Sequence, residues 1–259
     1  PRMVNERLPG ACVFQFWHIP WPNPEAFGIC PWKKEILEGL LGNDLLAFHI
    51  PYHGLNFLET IDRELESRID REGSTVYFRG SPTLIQSHPI SVDLAGLSSE
   101  AAGAATREQT DRLRKDPRLH GRKVILGIDR LDYTKGILER LHAVDRLFLR
   151  HPELLGKVVF LQIGVPSRSQ LEAYRRFQEE VVALVAAVNA RHGMPGWEPV
   201  VFLLEHKDRT ELLAYYRLAE VCLVSSLHDG MNLVAKEFVA ARRDLKGVLV
   251  LSRFTGAAR

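Results

Sequence analysis

Residues 221–241 read VCLVSSLHDGMNLVAKEFVAA, a stretch typical of a strand, a loop and a helix in an α/β protein. Its first five residues are mostly apolar, as in a buried strand, and Leu233–Ala241 has the composition of a helix. The loop between them therefore lies at the carboxyl end of a strand, where open α/β sheets bind ligands. The unpaired N–H groups that begin the helix favour a phosphate oxygen near Leu233 and Val234. Glu237, one turn further along the same face, can accept a hydrogen bond from a sugar hydroxyl.

The same stretch is also compatible with an ordinary strand, turn and helix in which Asp229 or Asn232 caps the helix. Helix N-termini are far more common than phosphate sites, so the choice depends on other segments.

Composition places the chain among globular proteins. It has 259 residues, of which 46% are hydrophobic and 25% charged, enough for one large or two ordinary domains. A net charge of +2 with scattered arginines argues against a nucleic acid partner. No apolar stretch approaches the roughly 20 residues of a membrane span. The three cysteines, at positions 12, 30 and 222, form no C-x-x-C pair, which favours reduced cytoplasmic thiols over disulfides or a zinc site.

Near-continuous apolar strands alternate with helices after residue 122, which predicts a parallel sheet covered on both faces. The predicted strands are 123–128, 158–165, 200–204, 221–225 and 248–252, and the predicted helices are 137–151, 169–191, 210–218 and 233–241. Before residue 95 we predict strands 12–17, 44–50, 75–78 and 84–87 and helices 32–41 and 54–71. Residues 95–118 are helical in composition.

Cationic residues follow two further predicted strands, at the same edge of the predicted sheet. Arg130 and Lys135 follow strand 123–128, so both could meet one diphosphate. Alternatively they form surface ion pairs with Asp129 and Asp132, which contribute little to stability. Arg168 follows strand 158–165, and its planar fork of donors suits a second, separate phosphate, although a simply solvated arginine is the alternative.

The histidines indicate a catalytic or metal site less strongly. His18 ends the first strand, before a proline-rich loop, but a lone histidine is more often structural than catalytic. His49 and His53 have the i, i+4 spacing of a metal site. Because Pro51 lies between them and disrupts the helix that would align them, we predict no metal site.

Five segments in one order resemble the trehalose-6-phosphate synthase family of retaining glycosyltransferases over essentially the whole chain. They are HIPWP at 18–22, PWKKEILEGLLG at 31–42, DRLDYTKG at 129–136, VPSR at 165–168 and DGMNLV at 229–234. The resemblance implies an α/β protein of GT-B type, with two Rossmann-like domains that have parallel sheets and face each other across a cleft. Residues 1–95 would be the C-terminal part of the acceptor-side domain, 96–120 a connecting segment and 121–259 the nucleotide-sugar domain. On this reading the chain is a fragment, with the N-terminal domain truncated and the end of the C-terminal domain missing, and we expect it to be inactive alone.

The family also implies roles for individual residues. Arg130 and Lys135 would hold the donor diphosphate, and Glu237 would bind the nucleotide ribose. Asp229 and His18 would contact the transferred glucose. The backbone of Leu233 and Val234 would contact the diphosphate, and the donor-binding loop before them includes Gly230, Met231 and Asn232. The backbone near Lys207 would contact the base. Arg168 would contact the phosphate of the acceptor.

The implied reaction moves glucose from a nucleoside diphosphate glucose to glucose 6-phosphate, giving trehalose 6-phosphate. This places the protein in cytoplasmic trehalose biosynthesis and osmoprotection, with no cofactor and no metal, because two cationic side chains can neutralise the diphosphate. A homo-oligomer is compatible with the sequence. Trp17 and Ile19 around His18, and His228 before Asp229, depart from the family pattern of Leu-His-Thr and of Arg before Asp-Gly. They leave two alternatives open: a glucosylglycerol-phosphate synthase that uses glycerol 3-phosphate, or a catalytically inactive regulatory subunit.

Overall fold

A computed structural model describes residues 1–168 and 170–259 of the chain. The chain divides into two compact units, Pro1–Ile90 together with Arg259, and Ser91–Ala258. Each unit holds one five-stranded sheet with helices packed against it, which confirms the predicted α/β class. None of the helices in the described ranges combines the length and apolar character needed to cross a membrane.

The first unit contains a mixed sheet with the strand order β1-β2-β5-β4-β3. Strands β1, β2 and β5 are parallel, whereas β5, β4 and β3 form an antiparallel extension. Its strands are β1 (Phe14–Trp17), β2 (Leu45–Phe48), β3 (Arg68–Asp70), β4 (Thr75–Phe78) and β5 (Ser81–Ser87), and its helices are α1 (Arg2–Arg7), α2 (Pro24–Gly28), α3 (Lys33–Leu40) and α4 (Pro51–Glu64). Trp21, Phe48 and Phe57 lie in its core.

The helix predicted over 54–71 was wrong in its second half. Helix α4 ends at Glu64, and Leu65 is already extended, with φ −132° and ψ 142°. The following residues form β3, which pairs with β4 in an antiparallel hairpin. The apolar face of α4 ends with Leu58 and Ile61, so the charged residues after it gain more from strand pairing than from continuing the helix.

The second unit contains a fully parallel sheet with the strand order β10-β9-β6-β7-β8. Its strands are β6 (Lys123–Arg130), β7 (Val158–Val165), β8 (Val200–Leu204), β9 (Val221–Val224) and β10 (Val248–Leu251), and its helices are α5 (Leu94–Ala101), α6 (Ala104–Arg114), α7 (Ile137–Arg150), α8 (Glu172–His192), α9 (Arg209–Leu218) and α10 (Leu233–Ala241). The predicted alternation of strand and helix is confirmed. The first residue of the predicted helix 169–191, Ser169, lies outside the described residues.

The segment 96–120, predicted to connect two domains, folds within this second unit. Helix α5 packs against α9 and α10, and α6 packs against α9. Leu97, Ala101 and Leu113 join the apolar cluster that covers one face of the sheet, while α7 and α8 supply a second cluster with β7 and β8.

The order of the strands creates a switch point between β6 and β9. From β6 the chain proceeds to β7 and β8 on one side, then returns to place β9 and β10 on the other side. Strand β6 pairs with β9 only through Ile125 with Val221 and Leu126 with Cys222. Their carboxyl ends therefore separate, and such a crevice is where open α/β sheets bind ligands.

Candidate functional site

The sequence-predicted residues of the second unit follow the carboxyl ends of four neighbouring strands. Lys135 lies in the loop after β6, Arg168 after β7, Lys207 after β8 and Asp229 after β9, while Arg130 is the last residue of β6. Because these strands are parallel and adjacent, their carboxyl ends form one edge of the sheet.

A largely buried ion pair spans the switch point. Lys135 Nζ lies 2.6 Å from Asp229 Oδ2, and the two side chains are only 14% and 13% exposed. Asp229 Oδ2 also accepts hydrogen bonds from Ser226 Oγ at 3.3 Å and Asn232 Nδ2 at 3.1 Å. Lys135 is thus paired with the opposite loop, not with the carboxylate of Asp132 in its own loop, and the surface-pair alternative for Lys135 was wrong.

Helix α10 begins beside this pair. Asn232 has a positive φ of 76° and caps the helix, because its Oδ1 accepts the N–H of Ala235 at 3.0 Å. The N–H groups of Leu233 and Val234 precede the first intrahelical hydrogen bonds, and no acceptor contacts them within the part of the chain that the structure describes. An anion at this position would receive two free backbone donors and the positive end of the helix dipole.

Backbone contacts hold the loop before α10 in one shape. Gly256 N donates to Asp229 O at 3.0 Å, and Ala257 N donates to Met231 O at 2.8 Å. The approach is so close that a Cβ on Gly256 would lie 2.0 Å from the carbonyl oxygen of Gly230. The loop that carries Asp229 is therefore held against the segment of residues 256–257.

The loop after β6 is equally constrained. Asp132 accepts hydrogen bonds from Thr134 N at 2.9 Å and Thr134 Oγ1 at 2.8 Å, which caps a short 3₁₀ turn at Tyr133–Lys135. Burial would raise the pKa of Asp132, but these bonds and the charges of Lys135 and Arg130 hold that pKa below its ordinary value. Leu227 N donates to Thr134 O at 2.8 Å and so joins the loops after β6 and β9.

Arg130 is exposed at the end of β6. Among residues 1–168 and 170–259 its guanidinium makes no hydrogen bond or ion pair, so it neither pairs with Asp129 nor with Asp132. Its charge acts on the carboxylate of Asp132, two residues away. Arg130 is therefore available to an anion at this edge.

Below the two loops lies a buried polar network that the sequence patterns did not predict. Arg140 of α7 is 1% exposed and donates to Asp129 Oδ2 at 2.7 Å, Gln162 Oε1 at 2.8 Å and Ser225 Oγ at 2.9 Å. It fills the space where β6 and β9 separate, with Gly127 of β6 leaving room for it: a Cβ there would lie 2.4 Å from Arg140 Nη1. The sequence did contain a signal for this network, because Arg140 occupies a position on the apolar face of α7.

Arg168 is tied to the loop after β6 through one tyrosine. Its Nη1 donates to Tyr174 Oη at 3.0 Å, and Tyr174 Oη donates to Asp132 Oδ2 at 3.4 Å. Arg168 has a φ of 46°, a left-handed conformation that is rare for a residue with a side chain. The arginine is exposed, so its remaining donors face solvent.

Lys207 and Glu237 make separate contacts. Lys207 Nζ lies 2.9 Å from Glu205 Oε1 and 3.3 Å from Glu211 Oε1. Burial would lower the pKa of Lys207, but these carboxylates hold it above its ordinary value. Glu237 Oε2 accepts a hydrogen bond from Tyr216 Oη at 2.8 Å, and both residues line a cavity of about 340 Å³.

His18 belongs to the first unit and lies just after β1, where it is exposed. Its ring lies 4.8 Å from that of Phe16 and 5.5 Å from that of His49, measured between centroids. Over the described ranges, no group of three or more His, Cys, Asp or Glu side chains is arranged to hold a metal ion.

Comparison with known proteins gives a consistent result. The profile of glycosyltransferase family 20 matches residues 1–259. The alpha,alpha-trehalose-phosphate synthase (UDP-forming) of Pichia angusta is 39% identical over 262 residues, which cover 100% of this chain and 54% of that protein. The chain spans about half the length, or less, of the curated relatives it matches.

Solved structures agree with this match. An alpha,alpha-trehalose-phosphate synthase (UDP-forming) from Burkholderia xenovorans, in complex with glucose-6-phosphate, superposes with a TM-score of 0.93 at 34% identity, over 98% of this chain and 56% of that one. An E. coli protein bound with UDP-2-fluoro glucose superposes with a TM-score of 0.88 at 33% identity, over 97% of this chain and 56% of that one.

Proposed function

The chain belongs to glycosyltransferase family 20, and we propose that it carries the donor side of a retaining glucosyltransferase. The donor is UDP-glucose, the acceptor is glucose 6-phosphate, and the product is trehalose 6-phosphate. The observation that carries the proposal is the Lys135–Asp229 pair across the β6–β9 switch point, next to the open N-terminus of α10. The names of the relatives and the ligands of the two solved structures support the identity of the substrates.

The chemistry assigned to these residues is stabilisation of a leaving group. Breaking the bond between glucose and diphosphate places negative charge on the departing diphosphate, and cations and backbone N–H groups aimed at it lower the barrier. Lys135, Arg130 and the N–H groups of Leu233 and Val234 supply these donors. Asp229 holds the Lys135 ammonium in place through the 2.6 Å contact, and by family resemblance we also assign Asp229 to the transferred glucose.

The acceptor phosphate is assigned to Arg168. The contact from Arg168 to Tyr174, and from Tyr174 to Asp132, links this arginine to the loop that carries Lys135. An arginine fixed by one donor group retains others for a phosphate, which it can bind in a bidentate manner. Glu237 is assigned to the ribose and the backbone near Lys207 to the base.

Product analysis tests the proposal. The full-length gene product is offered UDP-glucose with glucose 6-phosphate or, in parallel, with glycerol 3-phosphate. Trehalose 6-phosphate is the expected product. Glucosylglycerol phosphate as the product would change the assigned acceptor to glycerol 3-phosphate and leave the donor site as proposed. Absence of product from both pairs, together with absence of UDP binding, would overturn the proposal.

A further inference from the structure

Glu237 has one anchored carboxylate oxygen and one open one. Its Oε2 accepts the hydrogen bond from Tyr216 Oη at 2.8 Å. Within the described ranges no other group donates to Glu237, and its side chain is half-buried. Since a carboxylate has two acceptor oxygens, the contact with Tyr216 leaves Oε1 available to a ligand.

Tyr216 is well placed to hold this geometry. It lies on α9 with 1% of its surface exposed, and its ring meets Phe238 edge-on at 6.2 Å between centroids. Burial and the negative charge of Glu237 raise the pKa of Tyr216 well above its ordinary value. The hydroxyl therefore keeps its proton at neutral pH and serves only as a donor to the carboxylate.

The pair faces space that a ligand can enter. Tyr216 and Glu237 line a cavity of about 340 Å³, within the range of small-molecule sites. The other lining residues are Val92, Asp93, Leu97, Arg209, Leu212 and Leu213. Arg209 is itself paired with Glu100, with Nη2 at 2.9 Å from Oε1. Asp93 caps α5, where its Oδ1 accepts the N–H of Gly96 at 2.9 Å, so Glu237 is the lining carboxylate that α10 carries.

We propose that Tyr216 is a positioning residue for nucleoside recognition: its hydroxyl fixes Glu237 so that the second carboxylate oxygen accepts a hydrogen bond from a ribose hydroxyl. This inference rests on the proposed function, in which Glu237 binds the ribose of the donor. A carboxylate held in one rotamer before binding loses less conformational freedom when the nucleotide arrives. Tyr216 therefore acts through Glu237 without touching the substrate.

The Tyr216→Phe substitution tests this role because it removes one hydroxyl and keeps the ring. Tyr215→Phe is the matched control, since Tyr215 is the preceding residue of α9, is 5% exposed and has a hydroxyl without a hydrogen bond in the described chain. Calorimetric titration of the chain compares UDP with its 2′-deoxy and 3′-deoxy analogues. We expect Tyr216→Phe to weaken UDP binding about tenfold and Tyr215→Phe to leave it unchanged.

The deoxy analogues separate positioning from a structural effect. For the analogue that lacks the hydroxyl bound by Glu237, wild type and Tyr216→Phe should bind with equal affinity. An equal loss of affinity for UDP and for both analogues in Tyr216→Phe would mean that Tyr216 acts only through the fold, which would overturn the inference. Unchanged UDP binding by Tyr216→Phe would also overturn the inference, while the proposed function would stand. Absence of UDP binding by the wild-type chain would overturn both.

A second variant covers the case in which Tyr216→Phe does not fold. Glu237→Gln keeps Tyr216 in place and removes the negative charge that receives its hydrogen bond. We expect this variant to bind UDP about tenfold more weakly than wild type does. Its affinity for the deoxy analogue that lacks the hydroxyl bound by Glu237 should equal that of wild type. If the ratio of the affinities for UDP and for each deoxy analogue is the same in Glu237→Gln as in wild type, Glu237 does not bind the ribose. Tyr216 then has no ribose-binding carboxylate to position.

Discussion

Lys135 Nζ and Asp229 Oδ2 lie 2.6 Å apart, although the two residues are 94 positions apart in the sequence. The contact closes the gap between the loops after β6 and β9 at the point where the strand order reverses. With both side chains largely buried, an ion pair here is shielded from solvent and has a fixed direction. The same carboxylate oxygen of Asp229 contacts both the Lys135 ammonium and Asn232, the N-cap of α10.

Removing the cation should weaken diphosphate binding. Lys135→Met eliminates a charge-assisted contact and leaves the carboxylate of Asp229 unpaired beside the anion. We expect the affinity for UDP, measured by calorimetry, to fall about ten- to a hundredfold. Lys123→Ala is the control, because Lys123 is exposed at the opposite end of β6. Equal affinities for wild type and Lys135→Met would remove Lys135 from the site.

Arg168 should affect the acceptor and not the donor. In the full-length gene product, Arg168→Gln is expected to raise the KM for glucose 6-phosphate about tenfold or more, because a charge-assisted hydrogen bond to phosphate is lost. The KM for UDP-glucose should change less than twofold, on the order of 0.4 kcal/mol. Arg175→Gln, on the exposed face of α8 and 3.9 Å from Glu179, serves as the control. Parallel increases in both KM values would contradict the acceptor assignment.

Gly136 should tolerate alanine far less than Gly121 does. Both glycines have positive φ values, 62° and 71°, so alanine is strained at either position, by about 1–2 kcal/mol. At Gly136 the added Cβ would also lie 2.3 Å from Ser225 O, whereas at Gly121 it would meet open space. We expect Gly136→Ala alone to displace the Lys135 loop and to lower UDP affinity. Similar binding by both variants would show that the Ser225 contact yields without moving Lys135.

The buried network around Arg140 should contribute strongly to stability. Arg140→Met leaves Asp129 buried and unpaired, which we expect to cost about 3–5 kcal/mol. Arg146→Met, on the exposed face of the same helix, should change the free energy of unfolding by about 0.5 kcal/mol or less. Urea unfolding, read by hydrogen exchange of peptides from the second unit, measures both. A loss no larger in Arg140→Met than in Arg146→Met would mean that the network is not needed for the fold.

Much of the second unit could be predicted from the sequence because its local patterns agree with its tertiary structure. Strands β7 and β8 and helix α10 have the predicted bounds, since continuous apolar runs mark strands covered on both faces. The cap on α10 was one of two residues named, and Asn232 is the one that provides it. The cations at the ends of β6 and β7 followed from the same strand boundaries.

Partner choice could not be predicted. Lys135 pairs with Asp229 and not with its neighbour Asp132, because the strand order brings β9 beside β6. The network of Arg140 depends on the same adjacency, since Ser225 directly follows β9 and Gln162 lies in β7, on opposite sides of β6. In the first unit, the hairpin of β3 and β4 replaced the second half of a predicted helix, because strand pairing depends on residues distant in the sequence.

We propose that the β6–β9 edge binds the diphosphate of a nucleotide sugar, and amide chemical-shift mapping of the isotope-labelled chain with UDP measures this binding residue by residue. We predict that the backbone N–H groups of Leu233 and Val234 shift most, together with those of Lys135 and Gly136. The amides of Lys123 and Lys157, at the opposite edge of the same sheet, should not move. Largest shifts at that opposite edge, or no shift at Leu233 and Val234 when UDP is saturating, would show that the diphosphate does not bind at the β6–β9 edge.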